Sequence, residues 1–276
     1  MIFMPRFPAP LALVFVLSAC APAPRDAHEM LDGVAWMQNA AEYRAAAIQS
    51  YSLAERMMIR GQADPKWTAA VEQLGTDFSN KPPAVILDLD ETLLDNAPFE
   101  AELVLRRAPY QPSLWSEWVE RADAEVLPRA AEFLAAAKAR GVSVFFVTNR
   151  KIGEEPRTVE NLRKKAIDVD ANGENVLSRG ERPGWGADKS SRRVEIASRY
   201  RILLLLGDDL GDFISGKPDD SFDDRKARAE AHRDFWGERW IILPNPLYGS
   251  WERVLSRGAD DAQTLRNKFN ALKGFK

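Results

Sequence analysis

The sequence predicts an α/β fold with a doubly wound, mainly parallel sheet and a smaller, mainly helical subdomain. Two observations support this prediction. Four short and almost continuous apolar runs are typical of strands buried on both faces of a parallel sheet; they occupy residues 85–87, 141–147, 202–206 and 240–243. Stretches with helical periodicity lie between and among them, at residues 128–140, 158–166, 190–200 and 222–236. Such alternation is the pattern of successive βαβ units.

The segment before the first apolar run has helical periodicity instead. Apolar residues recur at spacings of three and four from about residue 29 to residue 60, on a face rich in alanine. We therefore expect a helix that packs closely on the core. Pro65, Pro82 and Pro83 mark breaks around a second short helix. Residues 28–80 are assigned to this helical segment, and residues 81–276 to the α/β core with a cap-like insert at about 97–127.

The first 20 residues indicate an export signal rather than part of the fold. Arg6 precedes an apolar run at residues 11–17, which is too short to span a bilayer but is typical of a signal peptide. Leu17-Ser18-Ala19-Cys20 then resembles the bacterial lipobox, in which the cysteine is lipidated before cleavage. We expect residues 1–19 to be removed and residues 20–27 to form a lipid-anchored tether. The alternative is an ordinary signal peptide with an incidental cysteine.

Cys20 is the only cysteine of the chain, so the chain cannot form an internal disulfide. Ala21, rather than an acidic residue, follows it. By analogy with lipoprotein sorting, this favours the outer membrane of a bacterial envelope. The expected membrane partner is therefore engaged through the lipid on Cys20.

Composition and charge are those of an ordinary soluble globular protein. Hydrophobic residues make up 45% of the chain and charged residues 29%. The formal net charge is −3, and loss of the Arg6 charge with the signal peptide makes it −4. A nucleic-acid polymer is not expected as a partner, because its binding needs a strongly basic surface.

Polar residues follow each of the four apolar runs. In an α/β sheet, ligands bind beyond the carboxyl ends of the strands, so these residues are the candidates for a site. They are Asp88-Leu89-Asp90-Glu91-Thr92, Thr148-Asn149-Arg150, Gly207-Asp208-Asp209-Leu210-Gly211-Asp212 and Pro244-Asn245-Pro246. Two of the four groups carry carboxylates toward the same edge of the sheet.

Carboxylates that converge in this way predict a cation. Their mutual repulsion is relieved when a cation lies among them or when some are protonated. A hard divalent ion with oxygen ligands meets that need, and magnesium is the usual one where phosphate is the substrate. A carboxylate can also attack phosphorus and form an aspartyl-phosphate. A single Asp-x-Asp would be a weak signal, because it is usually a solvated turn.

The motifs resemble those of haloacid-dehalogenase (HAD) phosphatases, and more closely those of the bacterial class C acid phosphatases, a group of outer-membrane lipoprotein acid phosphatases and 5′-nucleotidases. The resemblance covers nearly the whole mature chain, in order. It rests on Trp36-Met37-Gln38, Glu42-Tyr43, residues 88–96, Val147-Thr148-Asn149-Arg150-Lys151, Lys189, Gly207-Asp208 with Asp212, Leu243-Pro244-Asn245 and Tyr248-Gly249-Ser250-Trp251-Glu252.

The resemblance implies a role for each catalytic residue. Asp88 is the nucleophile, and Asp90 protonates the leaving oxygen and then activates water. Thr148 and the backbone of Asn149 donate to the phosphoryl oxygens, and Lys189 neutralises the charge that grows there. These roles agree with the charge that develops in phosphoryl transfer.

The resemblance also implies a Mg²⁺ cofactor. Asp88, the backbone carbonyl of Asp90 and Asp208 hold the ion, and Asp212 orients its waters. The family usually has Gly-Asp-Asn-x-Asp-Asp in this motif, whereas Asp209 and Gly211 occupy the third and fifth places here. The difference bears on the metal shell, not on the reaction class.

Remaining polar residues receive no site role. Asp95 is assigned to a turn, and His28 and His232 have no partner pattern and are assigned to the surface.

Two aromatic residues are expected to bind the substrate. Trp115 lies in the insert after the nucleophile motif and Tyr248 lies just past the fourth run. Both resemble positions at which nucleotidases of the family sandwich a base, a contact that tolerates any base. The sequence thus favours phosphomonoester hydrolysis, with nucleoside 5′-monophosphates as substrates. Trp118 is the alternative stacking residue, and packing of all three rings inside the insert is the structural alternative.

Two other functions remain open at this point. One is a non-catalytic envelope lipoprotein that binds a ligand or acts as a scaffold, although such a protein has no need for the nucleophile Asp88. The other is a general sugar-phosphate phosphatase with the same chemistry.

Overall fold

The computed structural model describes residues 28–171 and 173–275. The strands in chain order are β1 (Pro83–Leu87), β2 (Leu94–Asp95), β3 (Glu125–Val126), β4 (Ser143–Lys151), β5 (Val176–Arg179), β6 (Arg201–Gly207) and β7 (Trp240–Ile242). Five of them form a sheet in the order β5-β4-β1-β6-β7, and every pairing in it is parallel. The predicted α/β fold with a mainly parallel sheet is confirmed. The sequence did not predict β5, which is short.

The helices surround this sheet. They are α1 (Leu31–Asn39), α2 (Ala41–Ala63), α3 (Ala97–Arg106), α4 (Pro112–Arg121), α5 (Ala130–Ala139), α6 (Glu155–Lys164), α7 (Ser190–Arg199), α8 (Leu210–Phe213), α9 (Phe222–Ala231), α10 (Arg253–Ser256) and α11 (Asp261–Ala271). In the described part of the chain, no helix combines the length and the apolar content that crossing a bilayer requires.

Two expectations for the first 80 residues need correction. The single helix expected from residue 29 to about residue 60 is divided into α1 and α2, because Ala40 has an extended backbone (φ −77°, ψ 131°). The second short helix is a single 3-10 turn, Val71–Gln73. The side chain of Gln73 ties the turn to the core, since it donates to the carbonyls of Ala197 and Tyr200 and accepts from the amide of Ile202.

Apolar side chains cover both faces of the sheet. Val85 and Leu87 of β1 lie in one buried cluster with Phe133 of α5, while Ile86 lies in a second cluster with Trp240 of β7. Successive strand residues point to opposite faces, so both faces must be apolar when helices cover both. This explains why the apolar runs in the sequence are almost continuous.

A helical insert follows β1. The helices α3 and α4 lie between β2 and β3, which pair in antiparallel fashion, Leu94 with Val126 and Asp95 with Glu125. Pairing of β2 with β3 brings the two ends of the insert together, so both ends lie close to the carboxyl end of β1. Asp95 accepts a hydrogen bond from the amide of Ala97 at 2.9 Å and starts α3, as expected of a turn residue.

Candidate active site

The sheet order brings the predicted polar residues to one place. Because β1 lies between β4 and β6, the residues that end these three strands are neighbours. Asp88 continues from β1, and its amide donates to the carbonyl of Leu206 in β6 at 3.0 Å. Asp208 directly follows β6, and Thr148 lies in β4.

Three carboxylates converge at this point. One oxygen from each of Asp88, Asp208 and Asp212 lies within 4.8 Å of the others. Burial raises the pKa of Asp88 to about 7, against the lowering effect of Lys189, and also raises the pKa of Asp208 well above its usual range. Hard oxygen donors that are buried and costly to ionise together fit a divalent cation. The cluster can therefore hold a divalent metal ion.

Lys189 supplies a positive charge to the same cluster. It is the residue before α7, and its Nζ donates to Oδ1 of Asp88 and to Oδ1 of Asp212, each at 2.5 Å. Burial acts to lower the pKa of Lys189, but Asp212 and Asp88 outweigh it and the pKa is raised. The ammonium group therefore stays charged beside the nucleophile expected from the motif.

Asp90 is fixed by a buried arginine. Nε and Nη2 of Arg150 donate to Oδ1 of Asp90 at 3.0 and 2.7 Å, and the arginine side chain is only 2% exposed. Nδ2 of Asn96 donates to the same oxygen at 2.9 Å. These contacts set the direction of the Asp90 carboxyl, which lines the cavity described below.

Hydrogen bonds with the side chains of Glu91 and Trp118 hold the loop between Asp88 and Asn96 in place. Glu91 has a left-handed backbone (φ 55°) and its buried carboxylate accepts from the amide of Asn96 at 2.9 Å. The indole of Trp118 donates to Oδ1 of Asn96 at 2.8 Å. Trp118 is thus a support for the loop, and among the described residues around the cavity it is not a lining residue. Trp115 and Tyr248, which do line the cavity, therefore remain the candidates for stacking.

Asp209 and Gly211, which differ from the family pattern, lie beside the cluster of three carboxylates and are not part of it. The carboxylate of Asp209 accepts from the amides of Gly211 and Ser250, at 2.7 and 2.5 Å. Asp212 caps the start of the same turn, where its Oδ2 accepts from the amide of Asp209 at 2.9 Å. A Cβ at Gly207 would lie 2.3 Å from Oδ2 of Asp212, so only glycine fits there. The difference from the family pattern is therefore structural, since Asp209 caps α8.

Thr148 and Asn149 occupy different surroundings. Thr148 is fully buried, and its Oγ1 accepts from the amide of Arg150 at 3.0 Å. Asn149 reaches the cavity, and Arg192 donates to its Oδ1 at 2.8 Å. The structure thus brings Asn149 to the candidate site directly, and Thr148 to the layer beneath it.

A cavity of about 910 Å³ opens above the carboxylates. It is lined by most of the residues that the sequence singled out: Asp88, Asp90, Trp115, Asn149, Lys189, Asp208, Asp212 and Tyr248. His28 also lines it, so its assignment to the ordinary surface is wrong; the side chain contacts the carbonyl of Ala108 at 3.3 Å. Cys20 lies outside the described residues.

Three aromatic residues, Tyr110, Trp115 and Tyr248, form an aromatic wall of the cavity, whereas only Trp115 and Tyr248 were expected there. Trp115 packs edge-to-face on Phe99 with 5.1 Å between ring centroids, and the guanidinium of Arg150 lies 5.3 Å from its ring. Much of Trp115 is thus engaged with protein. Tyr110 and Tyr248 also line the cavity, and Tyr110 is well exposed.

Four functional candidates were missed from the sequence. Arg150 and Asn245 stood in the polar groups without a role, and their position after a strand was the available signal. Asn245 donates to Asp208 at 2.8 Å. Tyr110 and Glu100 lie in the insert, where helical periodicity could not show which side chains face a cavity. Glu100 is 5% exposed, and burial followed by repulsion from Glu252 raises its pKa to about 7.

Residues 18–251 match the family described as HAD superfamily, subfamily IIIB (acid phosphatase). The chain belongs to this acid phosphatase family. The match covers both the helical segment and the sheet that carries the carboxylates.

A solved structure agrees with the phosphatase family. The class C acid phosphatase from Bacillus anthracis is 31% identical and superposes with a TM-score of 0.79, over 91% of this phosphatase and 99% of that chain. The same relative with tungstate bound gives the same values. Family and structural neighbour together support phosphoric monoester hydrolysis as the reaction class.

Two plant proteins are more distant relatives of the phosphatase. The stem 31 kDa and stem 28 kDa glycoproteins of Glycine max are 24% and 22% identical to it over 168 residues. The alignment covers 59% of the phosphatase and 58% of either relative, so the phosphatase spans little more than half the length of these two proteins.

Proposed function

We propose that this phosphatase hydrolyses nucleoside 5′-monophosphates with magnesium, through an aspartyl-phosphate on Asp88, and that a lipid on Cys20 anchors it to the bacterial envelope. The observation that carries the catalytic part is the convergence of Asp88, Asp208 and Asp212 with Lys189 at the floor of a large cavity. A nucleophile, a cation site and a fixed positive charge then act on one phosphoryl group.

The chemistry proceeds in two displacements. A carboxylate oxygen of Asp88 attacks phosphorus, the bond from phosphorus to the ester oxygen breaks, and Asp90 gives a proton to that leaving oxygen. In the second step Asp90 takes a proton from water, the water oxygen attacks phosphorus, and the bond to Asp88 breaks. Inorganic phosphate leaves and both carboxyls return to their starting form.

The residues around these two carboxyls assist each step. Lys189 lies 2.5 Å from Asp88 and opposes the negative charge of the phosphoryl oxygens. Arg150 fixes the direction of the Asp90 carboxyl toward the cavity. The backbone of Asn149 is proposed to donate to the phosphoryl oxygens, and the buried Thr148 is proposed to support it from the layer beneath, where its Oγ1 accepts from the amide of Arg150.

Asp88, Asp208 and the backbone carbonyl of Asp90 would hold the metal ion, with Asp212 beside them. When bound, a magnesium ion supplies positive charge that polarises the phosphoryl group. Asn245 and Thr92 keep Asp208 in place, at 2.8 and 3.2 Å from its two carboxylate oxygens. The ligands are thus oriented without depending on the ion.

The aromatic wall supports nucleotides as substrates. Tyr248 and Trp115 were expected to sandwich a base, and both line the cavity that begins at Asp88. Because one side of Trp115 is engaged with Arg150, Tyr110 is a further ring that a base can meet. Stacking contributes roughly 1–3 kcal/mol per base, enough to favour nucleotides over sugar phosphates.

The test compares phosphate release from AMP, glycerol 3-phosphate and p-nitrophenyl phosphate, with and without magnesium. We expect kcat/KM for AMP to exceed that for glycerol 3-phosphate by about tenfold or more, which is the effect of one stacked base. Equal values would favour a general phosphatase. A folded protein that hydrolyses none of the three esters would favour a non-catalytic lipoprotein.

The anchor is tested separately from the chemistry. Cys20→Ser is expected to block lipidation and to move the protein out of the outer-membrane fraction, while phosphatase activity is retained because Cys20 lies outside the catalytic body. Mass spectrometry of the mature N-terminus and membrane fractionation measure the two effects. Identical processing and fractionation of both forms would remove the lipid anchor from the proposal.

A further inference from the structure

The last helix of the chain, α11, exposes an apolar side. Leu265, Phe269 and Leu272 are 44%, 69% and 74% exposed. Leu265 and Phe269 lie in α11, and Leu272 directly follows its last residue, Ala271. Their spacings of four and three place the three residues on one side of the helix and its end. Ala262, one turn earlier, is exposed on the same side. No residue of α11 is buried, so none of the other described residues covers this side.

The other sides of α11 are in contact with the protein. Asp261, Thr264 and Lys268 line the large cavity. Asn267 donates to the carbonyl of Leu255 in α10 at 2.7 Å and holds the helix to its neighbour. The apolar side therefore faces away from both the cavity and the sheet.

The charges beside the apolar side are mostly positive. Arg266 and Lys273 are exposed and form no ion pair within the described residues. The acidic residues of the helix stand only at its start, at Asp260 and Asp261, where Asp260 caps it. A helix with leucine and phenylalanine on one side and lysine and arginine beside them is typical of binding to the surface of an anionic bilayer.

Size argues against a protein partner on this side. A stable protein interface involves about 20–30 residues on each partner, whereas the apolar side of α11 offers three large side chains. A bilayer needs no such area, because the side chains enter the boundary between headgroups and acyl chains.

The position of α11 relative to the N-terminus adds an independent argument. Nζ of Lys268 lies 3.0 Å from Glu29 and 2.5 Å from Glu252, so α11 is tied to the first described residues. Glu29 follows Cys20 by nine residues, and a chain of that length spans at most about 32 Å. A lipid on Cys20 would hold α11 within that distance of the bilayer.

We propose that the side of α11 formed by Ala262, Leu265, Phe269 and Leu272 is a membrane-contact surface. It rests against the interface of an anionic bilayer, with Arg266 and Lys273 near lipid phosphates. This inference rests on the proposed anchor at Cys20. It adds an orientation: the cavity wall formed by α11 lies next to the membrane.

The test places a fluorescent label on the proposed surface of the full lipidated chain. Cys20 is the only native cysteine and its thiol is consumed by lipidation, so Phe269→Cys provides a single labelling site. Val194→Cys is the matched control, since Val194 is 51% exposed on α7 and outside the proposed surface. Each protein is reconstituted into vesicles of phosphatidylethanolamine and phosphatidylglycerol that contain brominated acyl chains as quenchers.

The label at position 269 is expected to be quenched several-fold more than the label at position 194. A second measurement uses trypsin: the vesicles should slow cleavage at Arg266 and Lys273 several-fold, and Phe269→Asp should remove this protection. Phe269 is exposed, so that substitution leaves the fold intact.

Equal quenching at both positions in a lipidated protein would overturn the contact while leaving the anchor in place. If mass spectrometry finds no lipid on Cys20, the anchor fails, and Phe269→Cys and Val194→Cys are each combined with Cys20→Ser so that every chain mixed with the vesicles keeps a single labelling site. Quenching confined to position 269 would then support the contact alone, and its absence would overturn the contact as well.

Discussion

At the residue scale, the most informative contact is that of Lys189 with two carboxylates. In the sequence Lys189 stands in a charged stretch at a helix start, where a lysine is usually solvated. In the structure it is buried between Asp88 and Asp212. A buried charge of this kind is retained only with partners. What distinguishes a lysine in a site from a lysine on the surface is its burial. The position of a lysine in the sequence does not show whether it is buried.

Asp88→Asn is the direct test of the nucleophile. The amide keeps the size of the side chain but cannot attack phosphorus, so kcat should fall by at least about a thousandfold. Steady-state kinetics on p-nitrophenyl phosphate measures the change, and circular dichroism checks the fold. Asp168→Asn is the control, because that residue is exposed. Turnover near the normal value in folded Asp88→Asn would refute the aspartyl-phosphate route.

Glu100 predicts a dependence of stability on pH. Burial and then Glu252 raise its pKa from the ordinary 4.5 to about 7 in the folded state. The folded protein therefore binds this proton more tightly than the unfolded chain does. The free energy of unfolding should fall as the pH rises from about 4.5 to about 7, by up to about 3 kcal/mol from this group, and then level off.

Glu100→Gln removes that titration, so its stability relative to the native protein should increase across the same pH interval. Urea unfolding at pH values on both sides of the interval measures the difference. Glu117→Gln, an exposed substitution on α4, is the control and should show no such trend. A constant difference between the Glu100→Gln and native proteins at all pH values would contradict the raised pKa of Glu100.

At the scale of elements, the sheet and the insert have different tasks. The ends of β1 and β6 supply the carboxylates, β4 supplies Asn149 and Arg150, and the start of α7 supplies Lys189. The helices α3 and α4 and the segment after β7 supply walls of the cavity. Chemistry and substrate choice are therefore separable by substitution.

The two expected stacking residues should respond differently to removal. Tyr248→Ala should lower kcat/KM for AMP about tenfold and lower kcat/KM for glycerol 3-phosphate much less, because a base loses a stacking contact that glycerol 3-phosphate does not make. Trp115→Ala should lower kcat/KM for both esters, because Trp115 also packs on Phe99 and beside Arg150, which orients Asp90. Parallel losses on both esters in Tyr248→Ala would remove the stacking role of that ring.

The elements that could be predicted were those with a strong local pattern. The apolar runs of β1, β4, β6 and β7 were visible because both faces of the sheet are covered. The division of the first helix at Ala40 was not, since alanine there gives no break signal; in the structure α1 packs on α3, whereas α2 packs on α5. Arg150 was visible as a charged residue after a strand, but its pairing with Asp90 depends on the distance across the sheet edge.

At the scale of the whole molecule, the cation site and the fold should be independent. Chelation is expected to abolish phosphate release, and magnesium should restore it. Calcium should restore it poorly, because its larger and looser coordination shell disturbs the alignment for attack. The melting temperature should change little on chelation, because Lys189 remains beside Asp88 and Asp212 as a counter-charge. Full activity in metal-stripped protein would rule out the metal requirement.

The order of the motifs along the chain was enough to predict the family and the reaction class, because each motif follows a strand of a known arrangement. The shape of the cavity was not predictable in this way. Its walls come from residues far apart in sequence, such as His28, Tyr110 and Lys268, and no short stretch of sequence records which of them meet.

The contacts of Lys268 with Glu29 and Glu252 have a consequence for a protein that is cut between α10 and α11. They join the start of the described chain to the helix that forms one wall of the cavity. The sheet, its carboxylates and Lys189 all precede α11 in the chain. A protein cut after Gly258 that loses α11 would therefore keep the nucleophile and its lysine, in a cavity that is open on one side.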